Sequence, residues 1–280
     1  MSGILYLVAT PIGNLEDMTY RAIRILKEAD LIAAEDTRNS IKLLNHFEIK
    51  TPMTSYHEFN KYKKAEELTA LLMQGKDIAL ITDAGTPAIS DPGEDLVRLA
   101  VEAGIEVSVI PGPVAAVSAL AISGLSTRYY HFEGFLPQES KKRRDRLEAL
   151  KAYGETIVLY EAPHRIQKLI EELEGAGFGD KKASFCRELT KKYEEVIRLI
   201  ASEAKAYFEQ NAPRGEFVVC LEPLASSSGP KGEASGTCDA DTLIKLLLDK
   251  GMPTKDIAQV VSKATGLGKK EMYARTLELS

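Results

Sequence analysis

The fold is decided by the stretch Ile78-Ala-Leu-Ile-Thr-Asp-Ala-Gly-Thr-Pro-Ala-Ile-Ser-Asp-Pro92. Its first four residues, Ile78 to Ile81, are apolar, and a run this short is typical of a buried strand rather than a helix. Thr82 to Pro92 is rich in turn formers and small side chains, with Gly85 near its middle. The sequence therefore predicts a strand that ends in a tight loop, where a ligand could lie directly against backbone. An ordinary strand-to-helix turn is the alternative interpretation.

The same pattern recurs along the chain. Apolar runs stop abruptly at polar or turn-forming residues at six further places, which are Thr10, Glu35, His57, Pro111, Glu161 and Arg187. In the first part of the chain these runs alternate with helical periodicity to make five successive β-α units. Such an alternation predicts an α/β fold with a mostly parallel first sheet and right-handed crossovers. After Tyr129 the predicted strands mix their directions more, which indicates a second, mixed sheet.

The length and local composition predict four segments. With 280 residues and 30.7 kDa, the chain can form two α/β domains, which we place at residues 1–113 and 114–224. Residues 225–238 are rich in Ser and Gly and are predicted to be a linker. Residues 239–280 predict a small helical module that resembles a helix-turn-helix. Its seven basic and six acidic residues do not by themselves establish nucleic-acid binding.

The charge distribution limits the kinds of partner. The formal net charge of −5 argues against a globally basic nucleic-acid coat. The predicted helix from Lys141 to Lys151, however, carries six Lys or Arg residues against two acids. Contact with nucleic-acid phosphates is the functional interpretation of this helix. A solvated helix face is the structural alternative.

Cysteine and histidine usage argues against a metal site. The three cysteines are Cys186, Cys220 and Cys238, and their spacing is unlike that of zinc ligands. The four histidines are also scattered, so we expect no metal. Sparse, odd-numbered cysteines suggest a reducing compartment. The chain shows neither a secretory leader nor an apolar run long enough to cross a membrane, so a cytoplasmic location without membrane contact is expected.

The absence of several well-known motifs limits the reactions that the sequence suggests. No dinucleotide fingerprint, phosphate loop or G-x-S-x-G elbow occurs, which weakens the nicotinamide, ATP and hydrolase hypotheses. Instead, strand ends offer small residues in one half of the chain and charged clusters in the other. Glu35-Asp-Thr-Arg38, for example, either contacts substrate or caps the next helix, which is predicted over Ser40 to His46. This division suits group transfer between a cofactor bound through backbone and an anionic substrate held by cations.

Seven short motifs occur together and in order. They are Leu7 to Met18, Asp30 to Arg38, Asp83 to Pro87, Pro111 to Pro113, Tyr160-Glu161, His164-Arg165 and Arg187 to Lys191. Together they closely resemble the ribosomal-RNA-modifying members of the tetrapyrrole methylase superfamily, over about residues 4–222. The resemblance implies S-adenosylmethionine-dependent methylation of the ribose 2′-oxygen of a cytidine in 16S rRNA, at the decoding centre of the small ribosomal subunit. It also implies a two-domain homodimer.

The resemblance further implies a set of site residues. The cofactor contacts that it implies are Pro11, Ala84, Thr86, Ile89, Val114, Ala115 and Glu161. Gly85 of the central loop is a further candidate cofactor contact. The superfamily's Gly-Asp-Pro falls on Gly85-Thr86-Pro87, so Thr86 stands where a carboxylate is usual. The candidate substrate-binding residues are Arg38, His164, Arg165, Arg187 and Lys191.

A ribose hydroxyl is only weakly acidic, so a base or a cation that stabilises the developing alkoxide would assist methyl transfer. The candidate catalytic bases are Glu35, Asp36 and Glu188, with Glu161 as a further candidate.

Two rival hypotheses about the function stay open at this point. One is a methyltransferase acting on a uroporphyrinogen- or precorrin-like tetrapyrrole, whose carboxylates would also need arginines. The other is a non-enzymatic ribosome-assembly protein that binds RNA.

Overall fold

The computed structural model describes residues 2–224, 240–265 and 267–279. Two compact units are present, residues 1–227 and residues 228–280. The predicted linker at 225–238 and Cys238 lie outside the described residues. The predicted domain boundaries at residues 113 and 224 remain predictions.

The first half of unit 1 is built on a five-stranded parallel sheet. Its strands are β1 (Ile4–Val8), β2 (Leu31–Ala34), β3 (Met53–Ser55), β4 (Ile78–Ile81) and β5 (Glu106–Ile110), in the spatial order β3-β2-β4-β1-β5. Its helices are α1 (Tyr20–Glu28), α2 (Thr37–His46), α3 (Lys61–Met73), α4 (Glu94–Glu102) and α5 (Ala115–Ser123). All four residues of β4 are buried, as expected for a central parallel strand covered on both faces. The predicted parallel sheet is confirmed.

The second half of unit 1 contains a mixed sheet. Its strands are β6 (Tyr130–Phe135), β7 (Thr156–Glu161), β8 (Lys182–Arg187), β9 (Glu195–Ile200) and β10 (Phe217–Leu221), in the order β6-β7-β10-β8-β9. Its helices are α6 (Ser140–Leu150), α7 (Ile166–Leu173) and α8 (Ala201–Gln210). β6 and β7 are parallel, whereas the other neighbours are antiparallel, so the predicted mixing of strand directions is confirmed.

One apolar cluster joins the two halves of unit 1. Ala116, Ala119 and Leu120 of α5 are buried together with Val158 of β7 and Val218 of β10. The loop that follows β1 contributes to the same cluster. Because parallel strands all end on the same edge of a sheet, this packing turns the carboxyl ends of β1 and β4 towards the second sheet.

Unit 2 consists of three helices, α9 (Ala240–Asp249), α10 (Thr254–Thr265) and α11 (Lys269–Leu279). Its small core contains Ile244, Ile257, Val261 and Met272, which are fully buried. The predicted C-terminal helical part is therefore confirmed. Among the described residues, no helix is both long enough and apolar enough to span a membrane.

Candidate active site

A cavity of about 410 Å³ lies where the two halves of unit 1 meet. The first half contributes the loop of residues 83–91 together with Val114 and Ala115, at the start of α5. The second half contributes Phe135, Tyr160 and residues 161–163, among others. The cavity thus lies at the carboxyl ends of the parallel strands, which is where open α/β sheets bind their ligands.

The predicted cofactor residues converge on this cavity. Those that line it are Ala84, Gly85, Thr86, Ile89, Val114, Ala115 and Glu161. Pro11 is the exception, because it lines a neighbouring cavity of about 250 Å³. Asp83 lines both cavities. The structure therefore brings together residues that are widely separated along the chain.

Backbone geometry fixes the loop of residues 83–91. Gly85 has a φ of +84° and exchanges two hydrogen bonds with Thr10, one of 2.9 Å and one of 3.0 Å. Ala88 and Ser90 also adopt positive φ, a conformation that side chains with a Cβ rarely adopt. The main chain of Gly85 therefore anchors this loop to the segment that follows β1.

Thr86 joins this loop to the turn before α5. Its hydroxyl lies 3.5 Å from the carbonyl oxygen of Pro113 and is positioned to donate to it. The same turn approaches β1 closely, because a Cβ added at Gly112 would lie 2.9 Å from the Cβ of Ala9. The residue that replaces the superfamily's aspartate thus connects two cavity walls.

Five acidic residues line the cavity, and three of them, Glu35, Asp83 and Asp91, come from the first half of unit 1. The Thr82 hydroxyl donates a 2.6 Å hydrogen bond to Glu35. Burial raises the pKa of Asp91 to about 6, and the nearby Glu35 charge contributes to the shift, while the Thr82 hydroxyl opposes it. Asp91 therefore changes its protonation state near neutral pH, as a general base would. Sequence reasoning missed Asp91, whose only signal was its place in the same loop.

The structure assigns Asp36 to helix capping. Its carboxylate accepts a 2.9 Å hydrogen bond from the Arg38 backbone N–H, so α2 begins at Thr37 rather than at the predicted Ser40. The Arg38 guanidinium donates to the same carboxylate at 3.0 and 2.6 Å. These bonds lower the pKa of Asp36 to about 2. Neither residue lines the cavity, so the capping alternative describes this pair.

Glu188 and Lys191 belong to a tight turn after β8. The Lys191 ammonium donates to Glu188 at 2.9 Å and to Glu216 at 2.8 Å. Lys191 also packs on the loop after β1, since a Cβ added at Gly13 would lie 2.4 Å from its Cγ. The cavity is lined by Leu189 and Glu216 from this region, but not by Glu188 or Lys191.

The five candidate substrate-binding residues do not form one surface. Arg38 and Lys191 have the carboxylate partners described above, and Arg187 forms a 3.1 Å ion pair with Glu195. His164 and Arg165, by contrast, line a second cavity of about 290 Å³. These two are consecutive in the chain and line the same cavity.

The basic helix α6 is partly internal, so neither the phosphate contact nor the solvated face describes all of its cations. Arg143 is 1% exposed and donates to Glu161 at 2.8 Å and to Glu172 at 2.6 Å. Arg146 is paired with Glu133. The exposed positive charge of α6 is therefore smaller than its sequence suggests.

Two of the three cysteines lie within the part of the chain that the structure describes. Cys186 and Cys220 are both buried, and the Cys186 thiol donates to the carbonyl oxygen of Ala119 at 3.8 Å. Across residues 2–224, 240–265 and 267–279, no cluster of three His, Cys, Asp or Glu side chains could hold a metal ion.

Comparison with known proteins gives the class first. Residues 4–205 match the family model described as Tetrapyrrole (Corrin/Porphyrin) Methylases, and residues 234–280 match the one described as RsmI C-terminal HTH domain. A crystal structure of uroporphyrin-III C-methyl transferase from Thermus thermophilus, complexed with S-adenyl homocysteine, superposes with a TM-score of 0.56 at 19% identity, covering 79% of this chain and 97% of that chain. With the cavity at the sheet's carboxyl edge, these findings define a methyltransferase of the tetrapyrrole methylase class.

Curated relatives then give the family. Ribosomal RNA small subunit methyltransferase I of Halalkalibacterium halodurans is 45% identical over 271 residues, covering 97% of this chain and 93% of the relative. The protein of the same name from Synechocystis sp. is 43% identical over 277 residues, with coverage of 99% and 98%. The chain therefore belongs to the ribosomal RNA small subunit methyltransferase I family.

Proposed function

We propose that the protein transfers the methyl group of S-adenosylmethionine to the ribose 2′-oxygen of a cytidine in 16S rRNA. Family membership supports rRNA methylation. The cytidine and its 2′-oxygen rest on the resemblance of the motifs. The observation that carries the proposal is the cavity where the loop of residues 83–91 faces the second sheet.

The residues present suit the methyl donor. Ala84 and Thr86 line the cavity with small side chains, so a polar ligand atom can approach their main chain, while Ile89, Val114 and Phe135 offer apolar surface to an adenosyl group. The carboxylates of Glu35 and Asp91 favour a positively charged sulfonium through their negative field. When bound, S-adenosylmethionine supplies an electrophilic methyl group on that sulfonium.

Glu35 and Asp91 are the proposed proton acceptors. Both line the cavity, and Asp91 has a pKa of about 6, so it is mostly ionised at neutral pH. Asp36 and Glu188, two other predicted bases, are held by hydrogen bonds outside the cavity, and Glu161 lines the cavity but is paired with Arg143 and Arg165. Holding the ribose hydroxyl in line with the methyl group supplies the rest of the acceleration by orientation.

The proposal extends to assembly and location. A substrate in the small ribosomal subunit would put the activity in the cytoplasm. The resemblance implies a homodimer, and exposed apolar side chains on β5 and α5, Val109 at 55% and Val117 at 47% exposure, support a buried surface there. Sedimentation equilibrium of the full chain tests this, since a monomer at micromolar concentration would contradict it.

A labelling experiment tests the proposed reaction. Tritiated S-adenosylmethionine is incubated with the protein and small ribosomal subunits from cells that lack it, and in parallel with uroporphyrinogen III. We expect label in 16S rRNA, released as a 2′-O-methylated cytidine after nuclease digestion. Label in the porphyrinogen instead would favour tetrapyrrole methylation. Tight RNA binding without label in either substrate would favour the assembly-protein hypothesis.

A further inference from the structure

A second cavity of about 290 Å³ lies beside the proposed methyl-donor cavity. Its lining residues are Gln138, Arg143, His164, Arg165 and Lys168, which come from the segment before α6, from α6 and from the start of α7. It contains three permanent cations, and none of the lining residues is acidic. This composition is that of an anion site rather than of an apolar ligand pocket.

One buried nitrogen among the lining residues of this cavity, Nη1 of Arg143, has neither a hydrogen-bond partner nor an ion pair. Arg143 is 1% exposed, and its Nε and Nη2 donate to Glu172 and Glu161. Its Nη1 is buried and has no hydrogen-bond partner. Buried donors are nearly always satisfied, so an unpaired guanidinium nitrogen in a cavity wall indicates a ligand that accepts a hydrogen bond.

The charge balance also favours an anion. Arg143, Arg165 and Lys168 face only two carboxylates, those of Glu161 and Glu172. The Lys168 ammonium lies 3.8 Å from Glu172, and its side chain is 55% exposed, so it is loosely held. Arg165 and Lys168 also lie at the N-terminal end of α7, where the helix dipole disfavours cations unless an anion binds between them.

The two cavities share a wall. Glu161 lines the methyl-donor cavity, and both Arg143 and Arg165 of the second cavity hold its carboxylate, Arg143 at 2.8 Å and Arg165 at 2.7 Å. Residues 161–165 run along this shared wall. Residues 161–163 line the first cavity, and residues 164–165 line the second. A molecule that places an anionic group in the second cavity is therefore close enough to extend into the first.

We infer that the second cavity binds a backbone phosphodiester of the RNA substrate and thereby sets which nucleoside enters the methyl-donor cavity. The inference rests on the proposed function, because it assigns the anion to RNA. A phosphodiester matches the cationic lining, its oxygens accept the free Arg143 donor, and the chain that continues from it supplies the neighbouring nucleoside. Free inorganic phosphate offers the same chemistry, so the test separates the two sources.

The test measures the affinity of the full chain for a fluorescein-labelled single-stranded RNA oligonucleotide over a series of KCl concentrations. Lys168→Gln should weaken binding by roughly fivefold at low salt and reduce the slope of log K against log [KCl] by about 0.7, the loss expected for one phosphate contact. Lys205→Gln is the matched control, since Lys205 is also half-exposed and faces a glutamate at 3.3 Å on a neighbouring helix. It should leave affinity and slope unchanged.

A second variant and a competitor complete the test. Gln138→Glu places a carboxylate in the lining and should weaken RNA binding without changing the affinity for S-adenosylmethionine. Inorganic phosphate should displace RNA from the wild-type protein more than KCl does at equal ionic strength, and this difference should disappear in Lys168→Gln. If Lys168→Gln and Gln138→Glu both bind RNA like the wild type, the inference is wrong. If phosphate raises the Tm of the wild type but neither variant affects RNA binding, the cavity takes free phosphate instead.

The outcomes separate this inference from the proposed function. A wild-type protein that binds RNA with the Lys168-dependent slope but transfers no methyl group would overturn the function and retain the phosphate site. A protein that methylates 16S rRNA with the same RNA affinity and slope in all three variants would retain the function and overturn the phosphate site.

Discussion

At the scale of single residues, burial and neighbouring charge separate acids that look equivalent in the sequence. Asp36 is held ionised by hydrogen bonds from Arg38, with a pKa of about 2, and it caps a helix. Asp91 is driven the other way, to a pKa of about 6, mainly by burial. The same side chain therefore serves structure in one place and suits proton transfer in the other.

Asp91→Asn should stabilise the protein in a pH-dependent way. Asp91 ionises near pH 3.8 when unfolded and near pH 6 when folded, so the wild type loses stability as the pH rises from about 4 to 6. The variant lacks this loss. The full shift corresponds to about 3 kcal/mol, which solvent screening reduces because Asp91 is only partly buried, so the variant should gain on the order of 1–2 kcal/mol in the free energy of unfolding at pH 8 and almost nothing at pH 4, as measured by urea denaturation. A gain of equal size at both pH values would contradict the shifted pKa.

Arg143 offers a second prediction at this scale. Arg143→Ala leaves Glu161 with Arg165 alone and Glu172 with only the Lys168 ammonium at 3.8 Å, and buried carboxylates that lose a charge partner are costly. The variant should lose about 3–5 kcal/mol of unfolding free energy. Arg144→Ala, the exposed neighbour on the same helix, should change it by less than about 0.5 kcal/mol. Equal losses in the two variants, measured by thermal or urea unfolding, would show that burial of Arg143 is unimportant.

At the scale of elements, α5 uses small side chains for two purposes. Ala116 and Ala119 are buried against the second sheet, while Ala115 lines the cavity. The carboxyl end of the helix is capped from β9, since the Arg198 guanidinium donates to the carbonyl oxygens of Ser123, at 3.1 Å, and of Ile122. α5 is therefore held by apolar packing along its length and by hydrogen bonds at its carboxyl end, where the two halves of unit 1 meet.

Two substitutions on α5 distinguish its faces. Ala115→Leu fills part of the proposed methyl-donor cavity and should weaken the binding of S-adenosylmethionine at least tenfold, by roughly 1.4 kcal/mol or more. Ala121→Leu, on an exposed position of the same helix, should leave the affinity unchanged. Isothermal titration calorimetry measures both. Unchanged binding in Ala115→Leu would remove the start of α5 from the cofactor site.

At the scale of the whole molecule, the proposed site belongs to unit 1. Every residue that lines the larger cavity falls within residues 12–218, inside the unit that spans residues 1–227. Unit 2 has its own small core. Cofactor binding is thus expected to depend on the joint between the two sheets and not on the C-terminal helices.

Deleting residues 228–280 tests this expectation. The remaining chain should bind S-adenosylmethionine within about twofold of the full-length affinity, because no lining residue is removed. Calorimetry of both proteins measures the difference, with circular dichroism as the check that the shortened chain is folded. Loss of binding in a folded, shortened chain would show that unit 2 contributes to the site.

Much of the fold was predictable because it follows from local patterns. The strand predicted at Ile78–Ile81 has the predicted bounds. Apolar periodicity and turn formers act over a few residues, so the sequence displays them directly. The start of α2 was predicted three residues late. Asp36 caps the helix, but the sequence around it suited substrate contact equally well, so the cap was not recognised.

The amino-acid sequence by itself determined the alternation of strands and helices, the loop of mostly small side chains at residues 83–91 and the family motifs. Only the tertiary structure decided which charges are available. Arg143 is hydrogen-bonded to Glu161, 18 residues further along the chain, and Glu35 is hydrogen-bonded to Thr82, 47 residues further along. Neither pairing follows from sequence spacing. Charge, burial and pKa depend on distances between groups that are remote in the chain, and those distances exist only after the two sheets have packed together.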